Sequence, residues 1–310
     1  MDEPRLEVSH APSPALVEEL DGLLRRIGDG PGTLSEGRRR ALGRAAAGDP
    51  SVGFVAVTAR HGGNGSLVGY AQVDHEGDPS SSSMELVTDG GSSVADGLLR
   101  TAMASVAAAG GGRLRLWVTS PTPDDDARAE ASGFAVERDL LQLRCPLPLP
   151  PPADGEVTVA TRPFRVGVDE DAWIEANNRA FAGHPEQGAW DRATLHAREQ
   201  EPWFDPEGFR VLDVHGRLVG SCWTKRHGGT RPPMGEIYVI SVDPRFHGKG
   251  WGRALTRAGL EWLASRSLTV GMLYVDGANT AAVSLYRSMG FTTHHLDRSY
   301  VAPVAPAAAG

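Results

Sequence analysis

Two stretches of this chain, about half its length apart, carry the same order of elements, and that duplication constrains the fold more than any other feature. Phe54 to Val57, a turn and Leu67-Val68-Gly69-Tyr70 are answered by Phe209 to Val214, a turn and Leu218-Val219-Gly220-Ser221. Further on, Leu114-Arg115-Leu116-Trp117-Val118 and Ser132-Gly133-Phe134 are matched by Met272-Leu273-Tyr274-Val275 and Met289-Gly290-Phe291. A constant offset between copies is what a tandem duplication leaves behind. Each copy also opens with a helix. Ser13 is placed to cap one that carries Leu16, Leu20, Leu23, Leu24 and Ile27 on a single face; Trp173, Ala176, Ala180 and Phe181 mark the other. The 310 residues suffice for two domains of ordinary size. The expected division is 1–145, a linker at 146–153, and 154–310. The linker region, Cys145-Pro146-Leu147-Pro148-Leu149-Pro150-Pro151-Pro152, predicts an extended spacer, because its prolines oppose regular structure.

The second copy holds the segment richest in chemistry. A strand-like run from Glu236 to Val242 stops at Asp243-Pro244, and a loop with glycines at 248, 250 and 252 leads into a helix whose Leu255, Ala258, Trp262 and Leu263 share a face. Glycines at a helix start leave the first-turn N–H groups uncovered, and those donors together with the helix dipole attract an anion. Lys249 and Arg253 add positive charge, so the segment reads as a pyrophosphate cradle. It is not a Walker loop, since Gly250 follows Lys249 where Ser or Thr is needed. It is not a dinucleotide fingerprint either, since Arg253 stands where the third glycine belongs.

His247-Gly248-Lys249-Gly250-Trp251-Gly252 does resemble the coenzyme A loop of the GCN5-related N-acetyltransferases (GNATs), Gln/Arg-x-x-Gly-x-Gly/Ala, departing only at His247. The strand Met272–Val275, Asn279 leading a helix from Thr280 to Met289, Tyr286, and the closing Gly290-Phe291 resemble the second signature of the same family. The resemblance implies an α/β (α+β) fold: two tandem GNAT-type domains, each a mixed central sheet flanked by helices. It implies acetyl-CoA as co-substrate, held by Ile240, Ser241 and Val242, by His247 to Arg253, and by Asn279, Thr280, Ala281, Ala282, Val283 and Ser284.

Acetyl transfer to an amine requires a base, because an ammonium has no lone pair with which to attack. Glu236, at the start of the strand leading into the cradle, is the candidate. Backbone N–H groups around Ile240 to Val242 are placed to stabilise an oxyanion, and Tyr286 to return a proton to the departing thiolate. In the first copy the corresponding stretch, Asp89 to Gly97, has no Lys or Arg and contains two Asp. Ser120-Pro121-Thr122-Pro123-Asp124 stands where Asn279 would be expected. The first copy therefore reads as degenerate, with Leu86, Val87 and Thr88 left as a second stretch for coenzyme contact through the backbone.

His184-Pro185-Glu186-Gln187-Gly188-Ala189-Trp190, Trp203-Phe204-Asp205-Pro206 and Trp223-Thr224-Lys225 resemble the mycothiol synthases of the actinobacteria, over nearly the whole chain. That family implies acetylation of the cysteinyl amine of a cysteine–glucosamine–inositol conjugate. Its acceptor contacts fall here on Glu186, Lys225, Glu236 and Tyr274, and on Glu36 from the first copy. Acetylation of another small amine or a peptide N-terminus, or a non-catalytic acetyl-CoA-binding module, are the competing readings.

A net charge of −8 argues against nucleic acid as a partner. No apolar run approaches membrane-spanning length, and Met1-Asp2-Glu3-Pro4 is no signal peptide, so a cytoplasmic, monomeric enzyme acting on a small molecule is expected. Two cysteines, Cys145 and Cys222, make neither a disulfide framework nor a thiolate metal site. No His, Cys or carboxylate cluster has ligand spacing, so no metal is expected.

Overall fold

The computed structural model describes residues 4–28, 34–49, 54–62, 65–75, 80–182, 188–228 and 230–307. The chain divides into two compact units, Met1–Leu140 with His295–Gly310, and Leu141–His294.

In the first unit, β1 (Arg5–Ser9), β2 (Phe54–Arg60), β3 (Leu67–His75), β4 (Ser81–Thr88) and β5 (Gly112–Thr119) lie side by side in chain order. The pairings are antiparallel except for the parallel β4–β5 pair. A helix covers each face. α3 (Ser92–Ala108) packs Val94, Leu98, Leu99 and Ala102 against Val57, Ala71, Val73 and Met84. On the other face, α1 (Pro14–Ile27) and α2 (Glu36–Ala46) bring Leu16, Leu20, Leu23 and Leu42 onto Phe54, Ala56, Tyr70 and Val87. Ser13 caps α1 as its sequence predicts: its hydroxyl accepts the Leu16 N–H at 3.3 Å. α4 (Pro123–Ala131) follows β5, and Thr122 and Asp125 form a reciprocal capping box at its start.

In the second unit the sheet order is β6 (Ala135–Pro146, here from Leu141), β11 (Val270–Asp276), β10 (Met234–Val242), β9 (Arg217–His227), β8 (Phe209–Val214) and β7 (Arg162–Pro163). α5 (Glu170–Ala180) and α6 (Arg192–Glu199) cover one face over an aromatic core of Trp173, Trp190, Phe209 and Trp223. Trp223 stacks on Phe209 with ring centroids 4.4 Å apart and meets Trp173 edge-on at 5.7 Å. α7 (Trp251–Ser265) and α8 (Thr280–Ser288) cover the other face. Gly259 lets α7 lie against β9, because a Cβ there would collide with the Cys222 sulfur. Burial pushes the thiol of Cys222 up to about 12, the inert buried state expected for it.

Two features depart from the sequence reading. The linker is not a free spacer: β6 runs through Cys145 to Pro146, Leu147 is buried in the core under α7, and the Pro150 carbonyl accepts from Arg257 at 2.8 Å. Apolar Leu at alternate positions gives this proline-rich segment a face to bury, which outweighs its poor ladder-forming capacity. The expected boundary at 154–310 also differs from the observed division. The last strand, β12 (Thr292–Val304), carries Asp297 to Val304 into the first unit, paired antiparallel with β5 from Thr119 to Gly112. Tyr300, Ala302 and Val304 join the first unit's core there.

Candidate active site

β10 is the strand that organises the site. Its parallel ladder with β11 runs from Met234 opposite Val270 to Ile237 opposite Leu273, and beyond Ile237 the two strands part. At the same point β10 bulges against β9, its register shifting between Ile237 and Val239. A bulge bends and twists a strand locally, and here it sits where the wedge opens. Past the bulge a cavity of about 370 Å³ lies between the end of β10, the loop, α7 and α8, and Ile240, Ser241, Val242, His247, Gly248, Gly250, Trp251, Gly252, Ala281, Ala282 and Tyr286 line it. Most of the expected coenzyme residues, drawn from a strand, a loop and two helices, therefore face one space.

The remainder of that set acts around the rim. The Asn279 side chain caps α8, accepting the Ala282 N–H at 3.1 Å. Val283 is buried in the core, and Thr280 and Ser284 are exposed. Arg253 donates to the Ser288 hydroxyl. The Lys249 ammonium lies over the stacked rings of Phe246 and Trp251, at 5.2 and 5.3 Å from their centroids. Phe246, Thr256 and Leu285 line the cavity as well and were not foreseen. Their signal was positional only, since Thr256 stands one turn after Gly252 and its hydroxyl donates to the Gly252 carbonyl at 2.8 Å.

The loop fits an anionic, elongated donor. Gly248 and Gly250 have φ of +77° and +76°, a region that L side chains rarely occupy. Gly250 caps α7 without any side-chain hydrogen bond, so the first-turn N–H groups stay available. His247, in the family's Gln/Arg place, donates from Nε2 to the Val242 carbonyl at 2.9 Å, tying loop to strand. Asp243 fixes the other end. Its buried carboxylate accepts from the Arg245 guanidinium at 2.6 Å, from the Arg245 backbone N–H at 3.0 Å and from Arg179 Nε at 3.1 Å. Hydrogen bonds from Arg245 hold that carboxyl well below the usual carboxylate range against the opposing effect of burial.

The acceptor candidates occupy the sheet face under α5 and α6. Glu236 and Lys225 are cross-strand partners, 8% and 9% exposed. The Lys225 ammonium sits 5.0 Å above the Trp203 ring. Glu236 Oε2 lies 2.9 Å from His227 Nε2, a neighbour the sequence reading did not single out. Tyr274, 40% exposed, follows Met272 on the same face of β11, and its hydroxyl accepts from Gln142 Nε2 at 2.7 Å. Tyr286 is 7% exposed beside the cavity, and burial pushes its phenol well above the ordinary value, so it remains protonated at neutral pH. Glu186 lies outside the described residues. Glu36 opens α2, but its side chain also lies outside them. Among the described residues, no group of three or more His, Cys, Asp or Glu could hold a metal, and no helix is long and apolar enough to cross a membrane.

The first unit repeats the wedge without the loop. β4 pairs with β5 only from Ser81 to Glu85, and a cavity of about 280 Å³ beyond it is lined by Leu86, Thr88, Gly91, Asp124, Asp125 and Arg128, among others. Val87 points the other way, into the core under α1. Arg128 is paired with Asp96 at 2.8 Å and Asp125 at 2.7 Å. Thr122 caps α4 where Asn279 caps α8, so the position thought to lack a counterpart has one of different chemistry.

Residues 171–291 match the acetyltransferase (GNAT) family. Over the whole chain, the fold is similar to a tandem GNAT protein from the clavulanic acid biosynthesis pathway, with a TM-score of 0.69 at 18% identity, covering 98% of this chain and 100% of that one. It is likewise similar to a GCN5-related N-acetyltransferase from Sphaerobacter thermophilus, with a TM-score of 0.68 at 21% identity, covering 97% and 96%. In sequence, the chain is 45% identical to a mycothiol acetyltransferase of Acidothermus cellulolyticus over 73% of its length and 72% of the relative's. With that of Salinispora tropica it shares 42% identity over 89% of both chains. This chain belongs to the mycothiol acetyltransferase family.

Proposed function

We propose that this protein transfers the acetyl group of acetyl-CoA to the cysteinyl amine of a cysteine–glucosamine–inositol conjugate, completing mycothiol. The observation that carries the reading is the placement of Glu236. Its carboxylate stands on β10 one residue before the last β10–β11 pair, Ile237 with Leu273, and four residues before Ile240, where the lining of the coenzyme cavity begins. An amine delivered to that point meets a proton acceptor on one side and the acyl donor on the other.

In this reading Glu236 takes the proton from the ammonium, and the freed lone pair attacks the thioester carbonyl. Backbone N–H groups around Ile240 to Val242, just past the bulge, receive the developing oxyanion. Tyr286 gives its proton to the thiolate as the carbon–sulfur bond breaks. The loop from His247 to Arg253 holds the pyrophosphate, and Asn279 with Thr280 to Ser284 supports the donor from α8. The acceptor has one amine and many hydroxyls, so carboxylates accept from it while Lys225 donates to it. Lys225 and Tyr274 share the Glu236 face; Glu186 and Glu36 are assigned to the acceptor by family resemblance. Leu86 and Thr88 of the first unit offer strand backbone to a second coenzyme molecule but no cradle for its phosphates.

The deciding experiment follows free thiol released from acetyl-CoA by the purified protein with and without the cysteinyl–glucosaminyl–inositol acceptor. Acceptor-dependent thiol release is expected. A protein that binds acetyl-CoA yet releases no thiol with this acceptor would be a binding module or a transferase for another amine, and a panel of small amines and peptide N-termini separates those two.

A further inference from the structure

Glu236 is 8% exposed, so the proton it accepts has a poor direct route to water. The carboxylate must nevertheless lose that proton before the next turnover. Its partner is His227, at the end of β9, where the ring nitrogen Nε2 stands 2.9 Å from Glu236 Oε2. The His227 side chain is twice as accessible as that of Glu236, at 22% against 11%. One end of the imidazole thus meets the base while the ring reaches toward solvent. We propose that His227 is the proton outlet of the site, acting through Glu236 as a positioning and relay residue without touching either substrate.

The step balances simply. An N–H bond of the acceptor ammonium breaks and an O–H bond forms on Glu236. That O–H then breaks as Nε2 of neutral His227 takes the proton, and the imidazolium gives up its Nδ1 proton to water. The carboxylate is restored in its ionised form, and His227 returns to its starting charge after a tautomer exchange. Among the described residues, the other charged and titratable groups on this face include Lys225 on β9, Tyr238 on β10, Tyr274 on β11, Arg144 on β6, which donates to the Gln142 side chain that in turn donates to Tyr274, and Glu199 on α6, one turn beyond the buried Leu195. Lys225 stands directly across the ladder from Glu236, with its ammonium 5.0 Å above the Trp203 ring.

This proposal rests on Glu236 being the base, and the test separates the two. His227→Ala, His227→Gln and Glu236→Gln are compared with wild type for kcat across pH 6 to 9, with and without added imidazole. His227→Gln can hydrogen-bond Glu236 through its side-chain amide but has no nitrogen that takes up a proton, so it keeps a polar partner for the carboxylate and removes the relay. Both His227 variants should lose roughly tenfold in kcat, less than the loss of a direct acid–base group. Neither KM should change, the acidic limb of the kcat profile should alter, and imidazole should raise the rate of His227→Ala. If His227→Gln turns over with the wild-type rate and profile, His227 is a structural hydrogen bond only and the proposal falls. Failure of imidazole to raise the rate of a folded His227→Ala overturns it too; should that variant not fold, the profile of His227→Gln decides alone. Activity retained in Glu236→Gln would instead remove the base itself, whereas an inactive Glu236→Gln beside wild-type His227 variants would remove only the relay.

Discussion

The two units place the same strand, turn and helix against the same kind of wedge, yet differ in what joins them. Between β10 and α7 stand eight residues, Asp243 to Gly250; between β4 and α3 stand three, Asp89 to Gly91. The anchoring is shared, since the Asp243 N–H donates to Val219 at 2.8 Å and the Asp89 N–H donates to Val68 at 3.1 Å. The longer connection supplies Gly248 and Lys249 beside its left-handed cap glycine Gly250, the counterpart of Gly91, together with Phe246, whose ring stacks on Trp251 at the start of α7. The strands differ as well. β10 bulges at Tyr238, whereas β4 keeps an unbroken register with β3 from Thr88 to Ser82. On the face where the second unit presents Glu236 and Lys225, the first is filled from within by Arg38. That guanidinium meets Asp74, Ser83 Oγ at 2.6 Å and Glu85 at 3.5 Å. Loop, bulge and the charged groups of this face distinguish the two copies, while core and topology hardly change.

The comparison breaks most sharply at the loop. Gly250→Asp puts a side chain and a negative charge at a left-handed helix cap, where an added Cβ already comes within 3.2 Å of Val157. Loss of acetyl-CoA binding with the fold retained is expected. Calorimetry on wild type should count one site, and a site surviving in the variant would place coenzyme in the first unit. Next comes Glu236→Gln, for which kcat should fall by roughly 10²-fold or more with donor affinity unchanged; near-wild-type turnover from pH 6 to 9 would assign the base elsewhere. Glu36→Ala tests whether the packed copy still serves the acceptor. Loss of a hydrogen bond to a charged group, about 1.5–3 kcal/mol, predicts an acceptor KM raised roughly ten- to a hundredfold with kcat held. A KM within twofold of wild type would leave Glu36 a solvated carboxylate.

Smaller effects sharpen the picture. Because burial raises the Tyr286 phenol, it still carries its proton throughout the working range. Tyr286→Phe should lower kcat by roughly tenfold or less at every pH from 6 to 9, leaving the shape of the profile as it is, while an unchanged rate would return the residue to the core. The two turn aspartates give the mildest contrast. Asp243 is buried among arginine donors, whereas the Asp89 side chain meets Arg26 at 2.6 Å and is 28% exposed. A depressed folded value means that the carboxylate contributes stability above the unfolded value, near pH 4, and loses it as pH falls below. Asp243→Asn should therefore lower the urea midpoint at pH 7 but converge on wild type in acid, and Asp89→Asn should change it less at either pH. Equal effects of the two would mean that the turns are held alike.

Features set by local chemistry were legible in the sequence. Glycine admits left-handed backbone, which Gly248 and Gly250 adopt, Ser13 caps α1 and Asn279 caps α8, so these loop and helix starts follow from local sequence. Features that depend on which strands pair were not. The Tyr238 bulge and the His227–Glu236 contact arise from the β9–β10 register, and residues nine apart in the chain give no signal of meeting across it. Thr122 was overlooked as a counterpart of Asn279 because two different side chains perform the same capping. The proline run was misjudged for a related reason: local propensity favours an extended spacer, but Leu147 and Leu149 find a core to enter.

The membership of Asp297 to Val304 in the first unit fixes an order of events during synthesis. The amino-terminal half leaves the ribosome first, as early domains do, yet at that stage it has β1 to β5 and the start of β6 without the β12 strand that pairs with β5. Until some 180 further residues have been made, β5 presents an unpaired edge with Leu114 and Leu116 behind it. The unit whose residues are made first is consequently the last to be completed, its sheet closing only when β12 follows the whole of the second unit.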